Sequence, residues 1–153
     1  MTIEDIPWDK ARMEFAPISM TVMHENGMRF TARAQTGLII PIDAHRHLGG
    51  GGEIPNPIDY LFASLGGCVG IKILLSLSDD GIVPDHLEIA IEGTRRQTLP
   101  ATFDHVHFIV TITAPVPDER LTRILDQTMT RLCPVAAIFV QTGKVTFEHR
   151  ISR

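Results

Sequence analysis

The chain has two cysteines, Cys68 and Cys133, and they are the residues whose chemistry reaches furthest. They show neither CxxC nor zinc-ribbon spacing and are too few for a disulfide scaffold. Two readings follow from the residues alone: a pair of inert core cysteines, or a chemical pair. If Cys68 is a nucleophile it needs help, because an ordinary thiol titrates near ~8.5 and apolar surroundings push it higher. The dipole of its own helix fades within the first turn, and Cys68 is expected about three turns in. An arginine is the natural helper, since it is always charged and donates from a rigid fork.

Other side chains offer weaker chemistry. His45 and His47 flank Arg46 in a glycine-rich loop and, with Cys68 or His24, have the types of a metal site, but solvated loop histidines are the simpler expectation. His105 and His107 alternate with Val106 and Phe108, so both belong to one face of a strand. Met20, Met23 and Met28 read as core filler or pocket lining.

The element that must position Cys68 is the run from Asn56 to Asp80, NPIDYLFASLGGCVGIKILLSLSDD. Apolar residues cover every face, which predicts a helix enclosed by other structure. Asn56-Pro57 suits its start and Asp79-Asp80-Gly81 its end. Lys72 and Gly66, Gly67 and Gly70 argue against a membrane span. The glycines point to close approach of a backbone or a substrate beside Cys68.

Before this run, residues 1–16 read as a loosely docked arm, and residues 17–153 as one domain. Alternation from Pro17 to Met23, a turn at Glu25-Asn26-Gly27, a return through Met28–Ala34 and a third stretch, Leu38–Ile42, predict a three-stranded meander. The loop DAHRHLGGGGEIP follows, either mobile or tightly turning. Beyond Gly81, Leu87–Glu92 and Val106–Thr113 read as strands, and Asp118–Leu132 as an amphipathic helix stopped at Cys133-Pro134. A short helical or irregular piece, Val135–Thr142, leads to a last strand, Lys144–Ile151. The order βββ-α-ββ-α-β predicts an α+β fold with segregated antiparallel strands.

Composition adds boundaries. A formal net charge of -4 gives no case for nucleic acid or anionic membrane, and the 44% apolar content is ordinary for a globular protein. The N-terminal residues lack an apolar h-region, which favours the cytoplasm over secretion.

The combination GGGGEIPNPIDYLFASLGGCVG, followed much later by RLCPVAAI, resembles the OsmC/Ohr family of peroxide-detoxifying thiol proteins. The resemblance covers roughly residues 17–151. It implies an intertwined homodimer in which antiparallel sheets wrap two central helices, with the active site at the subunit interface. It also implies a peroxidase that attacks an organic hydroperoxide with Cys68, forms a sulfenic acid, and resolves it with Cys133 to a disulfide that an external dithiol reduces. Such chemistry needs neither metal nor cofactor. Tyr60, Phe62 and Leu65 would then line an apolar substrate pocket.

Two positions depart from the family pattern. In the organic hydroperoxide resistance branch a glutamate directly follows Asn-Pro and pairs with an activating arginine; here that residue is Ile58, and Asp59 comes next. Asp59 is expected to orient the arginine, to complement the helix dipole, or to do both. Arg29 falls nearest the family's arginine, with Arg33 and Arg46 as substitutes. These departures motivate an alternative function, a non-catalytic stress or small-ligand-binding protein with vestigial cysteines.

Overall fold

A computed structural model describes residues 16–152, so the expected arm of residues 1–16 lies, but for Ala16, outside the described residues. The chain divides into two compact units, one ending at Asp59 and the other beginning at Tyr60.

The first unit is the expected meander: β1 (Met20–Asn26), β2 (Arg29–Ala34) and β3 (Ile39–Ile42), all antiparallel in the order β1-β2-β3. Its residues alternate as strands should, yet only Ala32 of the three strands is buried, and Met20, Val22, Met23, Phe30 and Ile39 are exposed. A sheet with this much uncovered apolar surface does not supply its own core.

The loop after β3 is built around Asp43, a carboxylate only 5% exposed. Its two oxygens accept from the backbone N–H groups of Ala44 (2.8 Å) and Gly51 (3.0 Å). Gly50 is tied down as well: its N–H donates to the His45 carbonyl, and a Cβ there would fall on the carbonyl of Ala44. The glycine run is therefore a tight turn around a buried acid. These bonds, led by the one from Gly51, hold the Asp43 carboxyl below its usual value of 3.8, with the Arg29 charge adding to them. A depressed folded value means that the stabilisation is present above the unfolded value near 3.8 and is lost as pH falls through the folded one. Asp43→Asn, which keeps one acceptor and orphans the other N–H, is expected to lower the urea midpoint at pH 7. Its deficit should begin to shrink only below the unfolded value near 3.8 and approach zero once the pH has fallen through the lower folded value, where the wild-type carboxyl is itself protonated.

The second unit packs helices on one face of a sheet. Helix α1 (Pro57–Asp79) spans nearly the expected run. It leads to β4 (His86–Arg95) and β5 (Phe103–Thr113), an antiparallel hairpin longer than its alternating cores suggested. Then come α2 (Asp118–Gln127), a π-helical turn (Thr128–Leu132), α3 (Pro134–Thr142) and β6 (Lys144–Ser152). The α+β class holds, and of the two readings of Val135–Thr142 the helical one is realised. One correction is needed: β6 runs parallel to β5, making this sheet mixed, with the order β4-β5-β6. The reason is the α2–π–α3 crossover, which carries the chain back so that β6 starts at the end where β5 starts.

Val106, Phe108, Val110 and Ile112 alternate along β5 and point into the core. Leu65, Val69, Ile73 and Leu77 of α1 meet them, together with Leu121, Ile124 and Leu125 of α2. Two of the glycines in α1 offset their helical cost by close packing: a Cβ on Gly66 would lie 3.1 Å from Ile91 Cδ1, and one on Gly70 3.2 Å from Ile89 Cδ1. The close approach is thus of β4 side chains. Enclosure of α1 is not what a single chain gives. One stripe is buried, while Ile71, Leu74 and Leu75 are exposed at 59%, 43% and 55%. By length and composition α1 could also cross a membrane, with a mean hydropathy of 1.8 over its most apolar window, but its buried stripe is committed to the core.

Candidate active site

Cys68 lies in α1, one residue before the core-facing Val69, and is half-buried. Cys133 arrives from the other side of the sequence by a specific local geometry. The backbone of α2 widens into the π turn, closed by the Cys133 N–H donating to the Thr128 carbonyl at 3.0 Å. The helix cannot continue through this point, since Cys133 precedes Pro134 and adopts an extended backbone (φ -95, ψ 109). Pro134 opens α3, and the Cys133 side chain takes the N-cap role usually filled by an oxygen: its Sγ accepts from the Ala136 N–H at 3.3 Å. The Arg120 guanidinium meanwhile donates to both Asp80 oxygens at 2.6 and 3.0 Å, tying the first turn of α2 to the end of α1.

The outcome is that the Cys133 Sγ donates to the Cys68 Sγ across 2.8 Å. Cys133 is buried at 1% exposure. Burial, and next the hydrogen bond to Cys68, push its thiol up to about 11, against the opposing pull of the Ala136 N–H. Cys133 is thus a protonated donor near neutral pH, and Cys68 is the more exposed residue of the pair. Among the described residues, both cysteines are free thiols.

The remaining expected site residues have definite places. Asp59 closes a reciprocal cap: the Asn56 Oδ1 accepts from the N–H groups of Ile58 (2.9 Å) and Asp59 (3.1 Å), and the Asp59 Oδ2 accepts from the Asn56 N–H (3.0 Å). Of the two roles open to Asp59, the helix start is the one its contacts serve. Arg29 stands beside a different acid, with Nη2 4.0 Å from Asp43 Oδ2. Asp43 was the residue missed by sequence reasoning; its signal was an acid at the mouth of a glycine run. His45, Arg46, Asn56 and Asp59 line a cleft of about 270 Å³ in the first unit. His45 and His47 contact each other through their Nδ1 atoms, and no cluster of three or more His, Cys, Asp or Glu among the described residues is arranged to hold a metal ion.

The expected pocket residues lie mostly inward. Leu65 is fully buried, because four-residue spacing places it on the stripe of Val69 and Ile73. Phe62 packs edge-on against Phe103 (4.8 Å between centroids) and Phe139 (6.1 Å). Tyr60 is half-buried.

The family model for OsmC-like proteins matches residues 50–149, a stretch holding both cysteines, three of the four consecutive loop glycines and α1. The chain belongs to the OsmC-like family. Solved structures of the family share its fold. An OsmC-like protein from Mycoplasma pneumoniae superposes with a TM-score of 0.75 at 16% identity, covering 90% of this chain and 98% of that one. An organic hydroperoxide resistance protein from Elizabethkingia anophelis gives 0.61 at 16% identity, covering 90% and 96%. One from Legionella pneumophila, described as an organic hydroperoxide resistance protein OsmC, gives 0.60 at 16% identity, covering 90% and 97%. Comparison with the curated proteins finds no match. At these identities the OsmC-like structures establish the fold.

Proposed function

We propose that this OsmC-like protein is a thiol peroxidase that reduces organic hydroperoxides with electrons from an external dithiol. The observation that carries the reading is the 2.8 Å contact between the sulfur of half-buried Cys68 and the buried Cys133 thiol. In the first step the Cys68 thiolate attacks the distal oxygen of ROOH. The O–O bond breaks, the alkoxide leaves and takes up a proton as ROH, and Cys68 becomes a sulfenic acid. In the second, the Cys133 sulfur attacks the Cys68 sulfur, the S–OH bond breaks, and hydroxide leaves with the Cys133 proton as water. The resulting disulfide accepts two electrons from a dithiol. Such a cycle suits the cytoplasm, where thiols are kept reduced. The test is dithiol-dependent consumption of cumene hydroperoxide by purified protein, with lipoyl and other dithiols as donors; capture of hydroperoxide without turnover with every donor would favour a binding protein instead.

Within this proposal Arg29 supplies the positive charge that favours the thiolate and Asp43 holds its guanidinium. Asp43 is thereby the acid that Ile58 no longer provides. Arg29→Met is expected to lower kcat/KM for hydroperoxide by about 10²-fold, with smaller losses for Arg33→Met and Arg46→Met, read from initial rates. Equal rates for Arg29→Met and the parent would move the role to one of the other two arginines.

A further inference from the structure

The two sulfurs differ in more than the order in which they react. Cys133 is 1% exposed, and its sulfur is held at the N-cap of α3 by the Ala136 N–H at 3.3 Å, whereas Cys68 is half-buried. A disulfide has its sulfurs ~2.05 Å apart, so oxidation from 2.8 Å needs a movement of less than about 1 Å. The burial of Cys133 therefore carries over into the oxidised protein. Thiol–disulfide exchange requires the incoming sulfur to reach the atom it attacks.

We infer that the external reductant opens the Cys68–Cys133 disulfide by attack on Cys68, so that the mixed disulfide forms on Cys68 and Cys133 is the first sulfur released. The inference rests on the proposed redox cycle but concerns its return half. A reductant thiolate forms a bond to Cys68 Sγ; the bond between the cysteines breaks, and its electron pair goes to Cys133 Sγ. There the Ala136 N–H already points at the departing sulfur, which offsets part of the cost of placing charge in a buried site. A proton from solvent completes the Cys133 thiol, whose burial keeps it protonated and so slows its attack back on the mixed disulfide. The second thiolate of the dithiol then attacks its own sulfur in the mixed disulfide. Cys68 leaves as thiolate, and the dithiol departs as a cyclic disulfide carrying away two electrons fewer than it brought.

This regiochemistry sets a requirement on the reductant. Its attacking thiol must reach the same sulfur that the hydroperoxide reaches.

The experiment uses the full-length wild-type chain, oxidised to the disulfide with diamide so that peroxidase activity is not presupposed. The oxidised protein is treated briefly with S-methyl dihydrolipoamide, a monothiol that cannot complete the cycle, then quenched with acid, unfolded in denaturant and alkylated with iodoacetamide so that the buried thiol is labelled. Peptide mapping then locates the mixed disulfide and the carbamidomethyl group. The expected result is a mixed disulfide on Cys68 and carbamidomethyl on Cys133, exceeding the reverse pattern by at least about tenfold. An adduct on Cys133, a near-even split, or a disulfide inert to the monothiol overturns the inference. Failure of the peroxidase reading would show separately, as absence of hydroperoxide turnover by protein whose disulfide exchanges in this way.

Discussion

Cys68→Ser is expected to reduce hydroperoxide consumption to the uncatalysed background, a fall of at least about 10³-fold in kcat/KM. A serine hydroxyl is neither ionised near neutral pH nor soft enough to attack a peroxide oxygen, so no residual route through position 68 survives. The neighbouring variant separates the roles of the two sulfurs. Cys133→Ser keeps the nucleophile but removes the thiol 2.8 Å away. Without any reductant it should consume one equivalent of cumene hydroperoxide per chain in a single burst and then stop, leaving Cys68 as a sulfenic acid. Stopped-flow peroxide consumption, with mass spectrometry of the product, checks both. A Cys68→Ser protein that turns over like the parent would end the proposed mechanism, and a Cys133→Ser protein with undiminished steady turnover would remove only the resolving step.

The second large effect concerns assembly. A single chain leaves Ile71, Leu74 and Leu75 of α1 exposed, and Ile138 (61%) and Val140 (43%) of α3 as well. The first unit adds Met20, Val22, Met23 and Phe30 on a sheet with one buried strand residue. Monomeric proteins rarely carry so much exposed apolar surface without a partner. The proposed partner is a second copy of the chain, which would cover these faces by symmetry. Sedimentation equilibrium at micromolar concentration is expected to give twice the chain mass of 17.0 kDa. Ile71→Glu combined with Leu75→Glu should weaken the dimer by at least about 10²-fold, since each carboxylate would be desolvated without a partner. A folded parent protein that sediments as a monomer would refute the assembly.

How much of this was legible in the residues depends on range. The helix carrying Cys68 was readable almost to its ends, because Asn56-Pro57 and Asp79-Asp80-Gly81 are local signals that no tertiary contact overrides. The stop at Cys133-Pro134 was equally local. The direction of β6 was not, since the same alternating residues serve a parallel or an antiparallel neighbour, and the crossover decides between them. The partner of Arg29 was hidden for a related reason: Asp43 is distant from it in the chain, and only the folding of β2 against β3 and the turn of the glycine loop bring their charges to 4.0 Å. Likewise Leu65 has the composition of a pocket residue, and helical phase alone consigns it to the core.

The π turn at Thr128–Leu132 bears on how the pair of sulfurs is kept in register. A π turn is an α-helix with one residue too many, and each residue of α-helix advances the chain by about 100° around the axis. Without that surplus residue Cys133 would leave the helix rotated by this angle, its sulfur aimed elsewhere, while every core residue before Thr128 kept its place. The widened turn is in this sense a phase shifter: it lets α2 satisfy the packing demands of the core up to Thr128 and lets Cys133 satisfy the aiming demands of Cys68. The two requirements, set by unrelated parts of the protein, can then vary independently.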